Sequence, residues 1–224
     1  MFDDRKDKLL EKLQDAHGKY YEAPQIFGGP SLYFHRKSLE SSCKQDFDRF
    51  SEHIYALLTS WGMHRMGLGG AKMRGFEEFS YSLQDVWCTA LRLQKKKPDS
   101  LCKSDWEDLK KVFCGIRCMA TGTSLVGNSK VMAHLMPNLI PPVDRQYTLN
   151  FLFGKGQIEN GHEKEWEVLS EILKEFFYPI VLSSEFKSHA DEWVADPKKF
   201  PWDTSHLKIV DNLVIGYQKM IRTE

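Results

Sequence analysis

The sequence predicts an all-α protein, a compact multi-helix domain, on three observations. Apolar residues recur at spacings of three and four in at least six segments of the 224-residue chain. Strand-type alternation and β-branched runs are nearly absent. Hydrophobic residues make up 42% and aromatics 12%, which suits a packed core and excludes intrinsic disorder. Area scaling puts the folded surface at roughly 10,600 Å² against roughly 38,000 Å² unfolded, so no disulfide or metal staple is needed.

In chain order, residues 3–21 place Leu9, Leu10, Leu13 and Ala16 on one helical stripe. Residues 22–37 read as irregular, broken by Pro24, Gly28-Gly29 and Pro30. A long helix is expected over 40–61, from the spacing of Phe47, Phe50, Ile54, Leu57, Leu58 and Trp61, with Gly62 ending it. Phe76, Phe79, Leu83, Val86, Trp87, Ala90 and Leu93 predict the next helix at 76–96, and Lys95 to Lys97 suit the negative end of its dipole. Ser104 followed by Glu107 is a capping-box pattern opening a helix that runs to Ala120. Further helices are expected at 129–137, 144–153, 160–177, 184–194 and 204–222. Pro179 would kink or end the third of these, and Pro197 to Pro201 separates the last two. The expected core is Phe47, Phe50, Ile54, Leu57, Phe79, Leu83, Val86, Val112, Ile116, Val131 and Leu135, joined by Phe176, Phe177, Trp193 and Trp202.

Charge and motifs exclude several classes. Lys plus Arg total 31 and Asp plus Glu total 31, which excludes a globally basic nucleic-acid coat protein and an acidic tail. There is no apolar run of membrane-spanning length and the N-terminus lacks a signal core, so a cytosolic protein without membrane contact is expected. The five cysteines have no C-x-x-C spacing, and no histidine pattern joins them at zinc spacing, so no metal or cofactor is expected. Cys114 and Cys118 are expected to share the buried face of one helix. Neither a P-loop nor a strand-borne G-x-G-x-x-G occurs. No Ser-His-Asp or Cys-His pattern stands out, and Asp3-Asp4 and Glu77-Glu78 read as solvated pairs.

The most informative stretch runs from Thr121 to Asp144: helix, glycine turn, helix, proline break, and an aspartate opening a further helix. Gly127 would form the turn, leaving the amides of Gly127, Asn128 and Ser129 free for phosphate oxygens at a helix N-terminus. Asp144 would cap the next helix, stabilised as the anion by free N–H groups, with Arg145 as a further anion contact. This arrangement resembles the helix-hairpin-helix DNA glycosylases through Leu125-Val126-Gly127 and Pro142-Val143-Asp144-Arg145, over about residues 113–153. The resemblance implies a glycosylase-like core, a hairpin that grips the DNA backbone, and Asp144 supporting attack at the sugar C1′ of an extruded nucleotide. It implies Lys130 as the Schiff-base amine of lyase-type members. The family's first hairpin glycine falls on Leu125 here, and Lys130 lies one residue past the family's lysine register.

A second candidate is the glycine-dense segment 62–75, with His64, Arg65, Lys72 and Arg74 and no acid. It reads either as an anion- or nucleic-acid-contacting loop, walled by Trp61, Met63 and Met66, or as a solvated connection. A third is the run Gly28 to Lys37, where Tyr33, Phe34, His35, Arg36 and Lys37 mix rings and cations as a base-stacking site would. The chain reads as one domain, with room for two lobes meeting at a cleft near 62–75 and 121–147. The expected function is nucleic-acid binding, with base excision carried by Asp144 and Lys130. The alternative is a non-enzymatic helical module for a nucleotide or a partner. The two separate on whether Lys130, Asp144 and the 62–75 segment line one cleft. Oligomeric state is left open.

Overall fold

The computed structural model describes residues 2–22, 29–67 and 70–221, the side chains of 66–71 excepted. Pro24, Gly28, Leu68, Gly69 and Arg222, which entered the expectations above, lie outside the described residues, as does the side chain of Met66. Among the described residues, the secondary structure is helical apart from one small hairpin and an isolated bridge between Met73 and Met119. Helices α1 (Phe2–Glu11) and α2 (Leu13–Glu22) replace the single helix expected over 3–21. Of the expected stripe, Leu9, Leu13 and Ala16 are buried and Leu10 is half-buried. Helix α3 (Pro30–Cys43) lies where an irregular segment was expected. Its buried face is Ser31, His35, Ser38, Ser41 and Ser42, so it carries no apolar stripe to read. Pro30 stands at its first turn, where a missing N–H costs nothing.

Asp46 caps α4 (Phe47–Ser60) by accepting from Arg49 N at 3.2 Å, and Gly62 leaves it at φ 74°. Strands β1 (Met66–Gly67) and β2 (Gly70–Ala71) pair antiparallel. Among the described residues they form the only sheet, of two strands. Helix α5 (Phe76–Gln94) follows, then α6 (Lys103–Gly115). The cap of α6 is displaced from Ser104 to Cys102, whose backbone N–H donates to Asp105 Oδ2 at 3.0 Å. Because α6 ends at Gly115, Cys118 lies beyond it and shares no helix face with Cys114. Cys118 is buried, and burial pushes its thiol up to about 12.

Helix α7 (Leu125–Leu135) precedes the proline segment, and a π-helical turn (Arg145–Leu149) runs into α8 (Asn150–Phe153). Helix α9 (His162–Ile172), a second π-helical turn (Leu173–Phe177) and α10 (Tyr178–Leu182) are continuous. The wider turn carries the chain into Pro179 without a break, so the helix runs past the expected end at 177. Helices α11 (Ser184–Ala195) and α12 (His206–Ile221) complete the chain.

One contiguous apolar core runs from Leu9 to Val214. Of the expected core residues, Phe47 is half-buried and the others are buried. Helix α12 is buried on all sides from Leu207 to Gly216, and α2 packs along it most closely at Gly216. No helix among the described residues is long and apolar enough to cross a membrane.

Candidate functional site

Helix α7 is the floor on which the site is built. It begins at Leu125, so Gly127 lies inside its first turn and not in a hairpin, correcting the expected start at 129. Gly127 is small because Cys118 Sγ and Met119 Cγ press on it, at 3.0 and 3.1 Å from where a Cβ would stand. The N-terminal amide of α7 is taken: Leu125 N donates to Glu165 Oε2 at 2.6 Å, while Glu165 Oε1 accepts from Gly161 N at 3.1 Å. Asn128 is buried and its Nδ2 donates to the carbonyls of Phe113 and Ile116 at 2.8 and 3.0 Å. Ser129 Oγ accepts from Val143 N at 3.1 Å, pinning the proline segment to α7. The Asn128 amide is spent on the Ser124 carbonyl at 2.8 Å, and Gly127, Asn128 and Ser129 are all buried, so they present no exposed phosphate site. Ser129 instead holds the chain that delivers Asp144.

Asp144 caps the π-helical turn. Its Oδ1 accepts from Gln146 N at 2.7 Å and Tyr147 N at 3.2 Å, while its own N–H donates to Thr148 Oγ1 at 3.3 Å. This satisfies the free donors of a helix start. Its other oxygen, Oδ2, stands 3.7 Å from Lys130 Nζ, longer than a hydrogen bond but within ion-pair range. The Lys130 amine also lies 5.0 Å over the Trp61 ring. Burial pushes the Lys130 pKa below the ordinary lysine value, and the neighbouring Asp144 opposes the shift.

Behind Lys130 lies a buried histidine pair. His134 Nδ1 is 2.7 Å from the Lys130 carbonyl oxygen, so it carries the proton and donates. His134 Nε2 is then the acceptor from His35 Nδ1 at 2.8 Å, and His35 Nε2 accepts from Thr204 Oγ1 at 3.1 Å. The contact between the rings needs one unprotonated nitrogen, so the two rings cannot both be charged. Burial lowers both pKa values, that of His134 to about 4.

Lys130, Asp144 and Arg65 line one cleft of about 550 Å³. Trp61, Tyr147, Tyr20 and Trp202 give it aromatic walls, and Lys208 and Asp211 enter it from α12. Lys208 Nζ donates to Asp211 Oδ2 at 2.7 Å, and burial raises the Asp211 pKa against the opposing Lys208 charge. Arg65 is exposed at the mouth, with no hydrogen bond or ion pair from its guanidinium among the described residues.

The other expected contacts disperse. Arg74 pairs with Glu78 and donates from Nε to the Met119 carbonyl at 3.3 Å, so an acid from α5 neutralises it. His64 Nδ1 donates to the Thr59 carbonyl at 2.9 Å, and Lys72 is exposed. The segment is not a free connection, because Arg74 N bonds the Cys118 carbonyl at 3.0 Å and Ala120 N bonds the Lys72 carbonyl at 2.8 Å. Arg145 turns to Thr123 Oγ1 beside the left-handed Gly122, away from the residues lining the cleft. The aromatic and cationic run is spread around α3. Tyr33 is exposed, His35 is buried, Lys37 pairs with Glu40 at 2.8 Å, and Arg36 bonds the Pro197 carbonyl at 3.0 Å.

Trp202, expected in the core, is a cleft wall, and sequence reasoning missed Lys208, Asp211, Tyr20 and Tyr147. A signal for the first two existed: Lys208, Asp211 and Asn212 interrupt the apolar run of α12 at i, i+3 and i+4, one face of the helix. Among the described residues no cluster of His, Cys, Asp and Glu has the makings of a metal site. Comparison with protein-family models, with curated proteins and with solved structures finds no match to this chain.

Proposed function

We propose that the cleft takes an extruded nucleotide of a nucleic acid and carries out base excision through Lys130 and Asp144. The observation that carries this reading is a largely buried amine of lowered basicity, 3.7 Å from a helix-capping carboxylate, inside an aromatic-walled cleft. A lysine that is less basic than usual offers a larger fraction of neutral amine, the form that attacks carbon. The Lys130 nitrogen bonds to C1′ as the glycosidic C–N bond breaks. The base leaves with that bond's electron pair and takes up a proton from water. The proton shed by the Lys130 nitrogen passes to Asp144, whose negative charge also stabilises the cationic sugar carbon. Trp61 and Tyr147 offer flat faces for a base or sugar, and Arg65 at the mouth suits a backbone phosphate.

Support for a glycosylase-like core comes from the order of parts. Helix α6, a turn over 116–124 holding the left-handed Gly122, α7, the proline segment and the capping Asp144 follow one another as that core requires. In this arrangement the turn that would approach DNA is centred near Gly122 and not on Gly127.

The test is borohydride trapping on a duplex with one abasic site. The ring-opened sugar aldehyde condenses with the Lys130 amine, water leaves, and hydride reduces the imine to a stable secondary amine. Wild-type protein should give a covalent adduct that maps to Lys130, and Lys130→Ala should give none. Absence of an adduct in the wild type refutes the catalytic reading. Binding to the same duplex that weakens as salt rises would then leave a binding module, the second reading. The buried Lys208–Asp211 pair favours that reading, because it takes no part in the steps above.

A further inference from the structure

The inner end of the cleft holds a group that the proposed chemistry does not use. Asp211 is 4% exposed and lines the cleft. Its Oδ2 accepts from Lys208 Nζ at 2.7 Å, but its Oδ1 has no hydrogen-bond partner among the described residues. A buried carboxylate oxygen without a donor is unusual, and it marks a place where a donor is due. Lys208 Nζ also donates to Asn212 Oδ1. An ammonium has three N–H bonds, so one is left over after these two contacts. A buried acceptor short of a donor and an ammonium with a spare N–H thus belong to two bonded residues that line the cleft.

The pair is held rigidly. Asn212 Nδ2 donates to Asp203 Oδ1 at 2.7 Å, and Asp203 Oδ2 meets His17 Nε2 at 2.7 Å. The His17 ring stacks on Trp193 at 3.7 Å with the planes 4° apart. Lys208 therefore cannot swing out without breaking a chain of buried bonds that crosses from α12 to α2. Its Nζ also lies 5.9 Å from the rings of both Tyr20 and Trp202, which flank the subsite with flat apolar faces.

We infer that this end of the cleft is a subsite for the lactam edge of a nucleobase, with Asp211 accepting the ring N–H and Lys208 donating to the adjacent carbonyl. The inference rests on the proposed reading of the cleft as a nucleotide site and names the class of base it takes. A charged donor is best matched by a carbonyl oxygen, and a carboxylate by an acidic N–H, as a lactam provides in one edge. Inorganic phosphate and carboxylate ligands are disfavoured, because they bring a further negative acceptor to Asp211. Adenine-type edges lack the carbonyl that Lys208 would meet.

The experiment titrates the full chain with inosine, 1-methylinosine and adenosine, read by quenching of tryptophan fluorescence. The two inosines differ in the one N–H that Asp211 would accept. Inosine should bind tighter than both others, by about tenfold over 1-methylinosine, because a site built for a donor is left unpaired by the methylated base. In Asp211→Asn the amide oxygen turns to Lys208 and presents an NH₂ group to the cleft, so the preference should fall to within about twofold. If that variant does not fold, Lys208→Met combined with Asp211→Leu removes the pair as a unit and should likewise abolish the preference. Equal binding of the two inosines by wild type overturns the inference, as does an undiminished preference in either variant or no quenching by any nucleoside. Abasic DNA carries no base, so trapping through Lys130 stands or falls separately from lactam recognition by Asp211.

Discussion

Gly216→Ala sets two effects against each other, and the structure decides the sign. Gly216 lies within α12, and in an ordinary helix interior the change to alanine stabilises by about 1 kcal/mol. Here a Cβ would overlap the Ala16 carbonyl oxygen and stand 2.9 Å from its carbon and 3.1 Å from Tyr20 N. These are backbone atoms of α2, so no side chain can rotate to make room. The two helices must separate along a packed seam, which costs about 3 kcal/mol or more. The net expectation is a loss of about 2 kcal/mol or more, or a fall of about 4–8 °C in melting temperature for a chain of this size. Urea denaturation followed by circular dichroism reads it as a midpoint lower by about 1 M with unchanged slope. Gly18→Ala is the control: Gly18 is in α2 with nothing within 4 Å of the added methyl, so that change should stabilise by about 0.5–1 kcal/mol. If Gly216→Ala is as stable as the wild type, α2 and α12 do not cross at the described distance.

Other consequences follow from single contacts. The neutral histidine pair makes stability depend on acid: His134 titrates at about 4 in the fold and near 6.5 unfolded, so the unfolded chain binds the extra proton between those values. Its contribution is full above about pH 6.5 and is lost as pH falls towards 4, the loss reaching about 2 kcal/mol by pH 5; urea midpoints at pH 7 and 5 should show a difference that shrinks in His134→Gln. Glu165→Ala strands the N–H groups of Leu125 and Gly161 and should cost about 3 kcal/mol, whereas Glu165→Gln keeps one acceptor and should cost about half as much in the same titration. Asp144→Asn can still cap the π-helical turn and should change stability by less than about 1 kcal/mol, while slowing adduct formation on abasic DNA on the order of 100-fold. Equal losses of stability and rate would make Asp144 a cap alone.

The sequence carries the helices with apolar stripes and hides those without. Helix α5 and the end of α4 are read to within two residues because phenylalanine, leucine and valine recur on one face, whereas α4 starts at Phe47 and not at 40, where the chain still belongs to α3. Helix α3 is invisible because serines and a histidine fill its buried face and the proline in its first turn imitates a loop. The start of α7 is misplaced because Gly127 suggests a turn, whereas its lack of a side chain serves close packing on Cys118 and Met119. Asp144 is legible as a cap because the two prolines before it and the polar residues after it leave little else for it to do. Lys208 and Asp211 are not read, because their roles depend on long-range contacts between α12, α2 and the segment before α12. Net neutrality likewise conceals the local distribution in which Arg65, Lys130 and Lys208 share one cleft with Asp144 and Asp211.

The central claim is that Lys130 acts as a neutral amine next to Asp144, and the pH dependence of its trapping on abasic DNA tests this most directly. Adduct formation at Lys130 should rise through a midpoint below the ordinary lysine value of 10.5. In Asp144→Asn the midpoint should move lower still, because the carboxylate holds the proton on the amine. A midpoint in the ordinary lysine range, unmoved by Asp144→Asn, or an adduct on any residue other than Lys130, contradicts the account.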